Sequence, residues 1–149
     1  GRILKIQKHV NNEFLLTYGD GLSNVNISNL INFHKKNKKI VSLTGVQPIG
    51  RFGALKISKN NLVENFVEKP IGDGGWINGG FFVFNKKIFK YIKNSNSVLE
   101  TDVLPLMAKK KQIGVFKHEK FWYAMDTLRD KNYLLNLWNS DKAPWKIWK

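Results

Sequence analysis

The 149-residue chain contains no cysteine. That excludes a disulfide scaffold, a thiol nucleophile and any cysteine-ligated metal. Acidic residues are scarce: 11 aspartates and glutamates face 25 lysines and arginines, for a formal charge of +14 with histidines neutral. No apolar run approaches the ~18 residues of a spanning helix, so no membrane insertion is expected. No basic n-region followed by an apolar h-region opens the chain, so no secretory signal is visible. Internal repeats and low-complexity linkers are absent, which fits one domain. The three histidines, His9, His34 and His118, have no metal-ligand spacing. No Walker lysine–serine/threonine signature occurs, and no serine sits in a Gly-x-Ser-x-Gly elbow.

What is present is enough for a core. Hydrophobic residues make up 42% of the chain, too many for a disordered basic tail. The lysines are scattered, often beside asparagines, as in Asn37-Lys38-Lys39 and Asn85-Lys86-Lys87. They read first as a solvent face. A second reading is a positive field attracting nucleotides and sugar phosphates. No nucleic-acid module is recognisable, so no nucleic-acid partner is expected. A start at Gly1 rather than methionine suggests a fragment or a processed product.

Residues 13–18 predict a buried, central strand ending at Gly19-Asp20-Gly21. In open α/β folds, ligands sit beyond the carboxyl ends of the strands. Ile27, Leu30, Ile31 and His34 share one helical face, with Asn26 as N-cap. Residues 40–46 form the next strand, completing a βαβ unit that implies a parallel sheet. Gly50-Arg51-Phe52-Gly53 opens a different region. Residues 52–57 and 62–67 predict a hairpin around Lys59-Asn60-Asn61, closed by Glu68-Lys69-Pro70. A flexible loop, Gly72-Asp73-Gly74-Gly75, precedes a strand over residues 77–84. Short helices are expected over 86–93 and 100–109, the second bent or interrupted by Pro105. A strand over 112–117 follows, then a helix capped by Asp126 or Thr127 and running to about Trp138.

Asp20 is the sharpest candidate. A carboxylate at a strand end suits Mg²⁺, which wants hard oxygen ligands and shares them with substrate phosphates; a turn or cap role is the alternative. Asp126 is either a second metal carboxylate or the N-cap of the last helix. Lys69 is a candidate phosphate ligand, a flexible point charge at a strand end. Glu68 beside it can accept bonds from ligand hydroxyls, and a solvent-facing pair is the other reading. Gly19, Gly79 and Gly80 permit close backbone approach to a ligand or serve turn geometry alone.

At Thr17-Tyr18-Gly19-Asp20-Gly21 the chain resembles the glucose-1-phosphate cytidylyltransferases, which are sugar-nucleotide pyrophosphorylases. Gly50-Arg51-Phe52-Gly53, Glu68-Lys69-Pro70, Asn78-Gly79-Gly80-Phe81-Phe82-Val83, Met125-Asp126-Thr127-Leu128-Arg129-Asp130 and Ala143-Pro144-Trp145-Lys146 extend the resemblance over essentially the whole chain. Glu-Lys-Pro alone marks only the wider nucleotidyltransferase superfamily. The resemblance implies an α/β fold with an open, mostly parallel sheet of the Rossmann-like nucleotidyltransferase type, carrying an inserted β-hairpin region. It also implies transfer of a cytidylyl group from CTP to α-D-glucose 1-phosphate, giving CDP-glucose and pyrophosphate. Mg²⁺ would be the cofactor, with Asp20 and Asp126 as metal ligands. Lys69 would hold the sugar phosphate and Glu68 would lie near the sugar. Asn78 and Gly79 would line the sugar side, Gly19 would lie against substrate, and Arg2 near the nucleotide. A homo-oligomer in the cytoplasm, feeding O-antigen and lipopolysaccharide synthesis, is implied as well. The family's N-terminal portion, with its glycine-rich triphosphate loop, has no counterpart here. The chain then reads as the larger, C-terminal part of such an enzyme, spanning residues 1–149. Two alternatives stay open: a catalytically inactive remnant, and a sugar-1-phosphate nucleotidyltransferase with another base.

Overall fold

A computed structural model describes residues 2–48, 50, 53–69, 71 and 75–148. Arg51, Phe52, Pro70, Gly72, Asp73 and Gly74, which figured in the sequence reading, lie outside the described residues.

The chain starts with a short helix, α1 (Arg2–Lys5), and a 3₁₀ turn over Gln7–His9. Strand β1 (Glu13–Thr17) is followed by β2 (Gly21–Ser23), helix α2 (Ile27–Asn37) and β3 (Val41–Val46). The hairpin strands β4 (Ala54–Ile57) and β5 (Val63–Val67) precede the longest strand, β6 (Ile77–Asn85). A 3₁₀ segment (Lys86–Tyr91), a π-helical turn (Leu99–Val103) and α3 (Leu104–Lys109) come next. The chain ends with β7 (Ile113–His118), β8 (Trp122–Ala124) and α4 (Leu128–Asn139).

The central sheet has the order β1-β6-β3-β7. Strands β3 and β7 pair in parallel, Val41 opposite Ile113 through Val46 opposite His118. β6 runs antiparallel to both its neighbours, β1 and β3. Three of the four strands therefore point the same way, the α/β arrangement expected from the sequence. Two details differ. The unit from β1 through α2 to β3 exists, but β6 is inserted between the two strands. And β1 is an edge strand among the described residues, not a buried central one. Its Glu13, Leu15 and Thr17 are exposed, while Phe14 and Leu16 face inward. That alternation is what a strand covered on one face shows.

The core lies where β6 meets the segments that follow it. Phe82, Phe84, Ile88, Val103 and Met107 are buried together with Val41. Phe84 stacks between Phe82 at 5.3 Å and Phe14 at 5.5 Å. Helix α2 packs through Leu30 and His34, both buried, and Asn26 caps it by accepting the Asn29 N–H at 2.9 Å. Pro105 falls in the first turn of α3, where its missing N–H costs nothing, and the helical path before it is the π turn. The hairpin β4–β5 forms as expected, with the register shifting between Lys56 and Ile57.

Candidate active site

The site is built at the carboxyl end of β1, where β6 enters the sheet. Tyr18 extends the β1 ladder by donating its N–H to the Gly80 carbonyl at 3.0 Å. Gly80 has φ of 77°, and a Cβ there would lie 2.7 Å from the Tyr18 ring. Only glycine satisfies both the backbone angle and this approach. The Tyr18 hydroxyl donates to Glu100 Oε1 at 2.5 Å and accepts from Asn78 Nδ2 at 3.1 Å. Asn78 in turn accepts the Gly80 N–H at 3.0 Å. Burial, reinforced by the Glu100 carboxylate and offset partly by Asn78, pushes the Tyr18 phenol up to about 12. Tyr18 is thus a protonated donor throughout the neutral range.

After Tyr18 the chain exposes Gly19 and Asp20, then enters the antiparallel ribbon β2–β8. Gly21 pairs with Ala124, and the Met125 N–H donates to the Asp20 carbonyl at 2.8 Å. This bond sets Asp20 opposite the segment that carries Asp126. Trp122 ties the ribbon to β6 by donating its indole N–H to the Gly79 carbonyl at 2.8 Å. A Cβ on Gly79 would stand 2.8 Å from a Val46 methyl, so its bareness also serves packing onto β3. At the end of β7, His118 Nε2 lies 3.2 Å from Ser23 Oγ and 3.1 Å from the Phe121 carbonyl, fixing the ribbon from its other side.

The cap of α4 is Thr127. Its hydroxyl accepts the Asp130 N–H at 3.2 Å, while the Asp130 carboxylate accepts the Thr127 N–H at 2.9 Å. Asp126 therefore stands one residue outside the helix and is not its N-cap. Asp20 and Asp126 are both exposed hard-oxygen donors at one end of one ribbon. Among the described residues there is no group of three or more histidines or carboxylates that could hold a metal. A pair of carboxylates nevertheless fits Mg²⁺, which takes one or two from the protein and fills its octahedron with water and substrate phosphate oxygens.

Beside Asp20 lies a cavity of about 640 Å³. Arg2, Tyr18, Asp20 and Glu100 are among its polar lining, with Gly19 beside them, and Leu4, Leu16 and Val103 are among its apolar lining. Arg2, on α1, thus shares a cavity with Asp20. Lys69 and Glu68 stand elsewhere, at the end of β5. Lys69 has a left-handed φ of 46°, and its ammonium lies 3.9 Å from the Glu68 carboxylate with both side chains exposed. No described hydrogen bond or ion pair joins either residue to Asp20, Tyr18 or Asn78. The sequence reading did not single out Glu100. The only local signal was a carboxylate in a chain poor in them; its partner lies 82 residues away.

Residues 2–133 match the nucleotidyl transferase family. The chain belongs to that family. The chain is 45% identical over its whole length to the glucose-1-phosphate cytidylyltransferase of Salmonella typhimurium, covering 58% of that protein. It is 38% identical over 99% of its length to the probable glucose-1-phosphate cytidylyltransferase of Bacillus subtilis, again covering 58%. The chain therefore spans a little over half the length of these curated relatives. The fold resembles the crystal structure of HddC from Yersinia pseudotuberculosis, with a TM-score of 0.64 and 22% identity over 91% of this chain and 60% of that one. Among the described residues, no helix is long and apolar enough to cross a membrane.

Proposed function

We propose that the protein to which this chain belongs transfers a cytidylyl group from CTP to α-D-glucose 1-phosphate, releasing CDP-glucose and pyrophosphate, and that it works as a homo-oligomer. The choice of base and sugar is supported by likeness to proteins named glucose-1-phosphate cytidylyltransferase at up to 45% identity. The single observation behind the site assignment is the Met125 N–H to Asp20 carbonyl bond, which sets Asp20 against the Asp126 segment at the carboxyl end of the sheet.

In this reading a phosphate oxygen of glucose 1-phosphate attacks the α-phosphorus of CTP. The new P–O bond forms as the bond from that phosphorus to the β-phosphate bridging oxygen breaks, and the electron pair leaves with pyrophosphate. The attacking oxygen is already ionised at neutral pH, so the chain needs no general base. Lys69 holds the acceptor phosphate as a point charge, and Glu68 and Asn78 accept or donate bonds to sugar hydroxyls. Asp20 and Asp126 would hold Mg²⁺. When bound, Mg²⁺ neutralises charge developing on the phosphoryl oxygens. Arg2, which shares the cavity with Asp20, serves the nucleotide side. Tyr18, locked between Glu100 and Asn78, fixes the strand end from which Gly19 and Asp20 project.

The test is CDP-glucose formation by the enzyme carrying this chain, with CTP, glucose 1-phosphate and Mg²⁺. Asp20→Asn should lower turnover by about a hundredfold or more, the rate equivalent of a few kcal/mol of transition-state stabilisation. Asp20 is exposed, so its melting temperature should stay near that of the parent. Near-parental turnover at saturating Mg²⁺ would remove Asp20 from the reaction. Absence of CDP-glucose from the parent enzyme, with another nucleotide sugar formed, would redirect the assignment of the base.

A further inference from the structure

At the other end of the sheet lies a second cavity, of about 660 Å³. Its position follows from the strand directions. It is lined by Glu13 at the start of β1, Ile40 just before β3, Asn85 at the end of β6 and Gln112 just before β7. Asp20 and Asp126 lie past the opposite ends of these strands. A five- or six-residue strand separates the two ends by roughly 17–20 Å. The second cavity is thus no part of the site described above.

Its lining carries five lysines, Lys35, Lys38, Lys39, Lys87 and Lys110, against one carboxylate, Glu13. They come from different parts of the fold: the last turn of α2 and the two residues after it, the 3₁₀ segment after β6, and the C-cap of α3. None of these ammonium groups has an ion-pair partner among the described residues. Lys110 lies over the Tyr91 ring at 5.9 Å, a contact that leaves its charge uncompensated. A concave wall of like charges repels itself and focuses field into the space it encloses.

The back of this cavity is built, not merely surface. His34 is 3% exposed, with Nδ1 at 2.9 Å from Ser42 Oγ. Its other nitrogen, Nε2, has only a long 3.9 Å approach to Glu13 Oε1. Burial holds the imidazole pKa below its usual value, with Glu13 opposing weakly, so the ring is neutral at pH 7. A buried neutral imidazole can offer an N–H to an anion, and Glu13 is the one negative group it faces.

We propose that this basic cavity is a second anion site, remote from the transferase site, that binds the oligophosphate group of a small molecule. Several cations from separate elements match an anion carrying several charges on a small body. Lysine ammonium groups act as point charges on tetrahedral phosphates and lack the fork geometry that singles out carboxylates. The volume falls in the ordinary range for small-molecule pockets. Free oligophosphate and nucleoside triphosphate share this chemistry.

Calorimetric titration of the protein with sodium tripolyphosphate, in Mg²⁺-free buffer at about 0.15 M salt, tests the proposal under conditions where long-range surface attraction is screened. One anion per chain should bind saturably. Lys35→Gln/Lys39→Gln/Lys87→Gln should weaken binding by about tenfold or more, whereas the charge-matched Lys59→Gln/Lys131→Gln/Lys142→Gln should change it by less than about twofold. All six positions are at least partly exposed, so both variants should fold. Equal weakening in the two variants, or no saturable binding, would overturn the proposal as diffuse charge. Arg2→Gln/Lys69→Gln, which removes the two exposed cations assigned to the transferase site, should leave tripolyphosphate affinity unchanged; its loss there would place the anion at the transferase site and refute a second one. A parallel titration with CTP separates the sources. Tighter binding than tripolyphosphate, lost in the first lysine variant, identifies a nucleoside triphosphate site. Equal or weaker binding identifies a site for the free anion.

Discussion

Tyr18 holds the strand end that presents Asp20, and its hydroxyl is the residue-scale feature with the clearest consequence. In the folded chain the phenol titrates near 12 instead of 10.0, so between those pH values the native state keeps a proton that the unfolded chain releases. The stabilisation is whole below pH 10.0 and is lost as pH rises through about 12. Tyr18→Phe removes this dependence. Its melting temperature should fall less steeply than the parent's across that alkaline window, and at neutral pH the variant should be less stable by about 1 kcal/mol or somewhat more, for the lost bond to Glu100. Parallel melting curves in the two proteins would show that the Tyr18 phenol is not held above its ordinary pKa in solution. Lys69 belongs to the same scale. Lys69→Ala should raise the KM for glucose 1-phosphate while leaving that for CTP near its parental value; an unchanged acceptor KM would exclude the phosphate-holding role. The residues legible in the sequence were those announced by their neighbours: Asp20 by flanking glycines, Asp126 by the helix start after it. Glu100 was not legible, because its meaning comes from a hydroxyl 82 residues earlier in the chain.

Elements were read well where the signal was local. The hydrophobic face of α2, the hairpin turn at Lys59-Asn60-Asn61 and the Asn26 cap all rest on neighbouring residues, and all are found. The place of β1 in the sheet depends on a strand that arrives some sixty residues later, and pattern reading put it in the centre. The short ribbon β2–β8 escaped notice because each strand has three residues and no alternation to detect. The start of α4 shows how the fold resolved an ambiguity. Thr127 and Asp130 close a reciprocal cap, Tyr123 donates its hydroxyl to Asp130 at 3.1 Å, and Asp126 stays outside. Thr127→Ala should cost about 1 kcal/mol, read as a lower denaturation midpoint with an unchanged slope. A loss below a few tenths would mean that the cap is replaced by water.

On the scale of the whole molecule, the excess of lysine resolves into two kinds. Most ammonium groups coat the surface, while five gather around one cavity far from the Asp20 end of the sheet. The surface is also uneven in its apolar content. Leu128, Leu135, Trp138, Ile147 and Trp148 are exposed on and just beyond α4, and clustered exposure of this kind marks contact surfaces more often than free ones. The proposed homo-oligomer accounts for them. Leu128→Glu/Leu135→Glu should shift the mass measured by light scattering toward the monomer at the same protein concentration. A mass unaltered by this change would exclude α4 from the contact.

The hairpin β4–β5 pairs with no other strand of the described fold, and it ends in Glu68 and Lys69. The proposed phosphate grip of Lys69 is therefore carried by an arm together with Glu68, while the proposed metal ligands are set by a ribbon stitched into the main sheet, which also carries Asn78. A sequence change along the arm alters where the acceptor is gripped and leaves the carboxylates where they were. The two halves of the chemistry can then be inherited on separate terms.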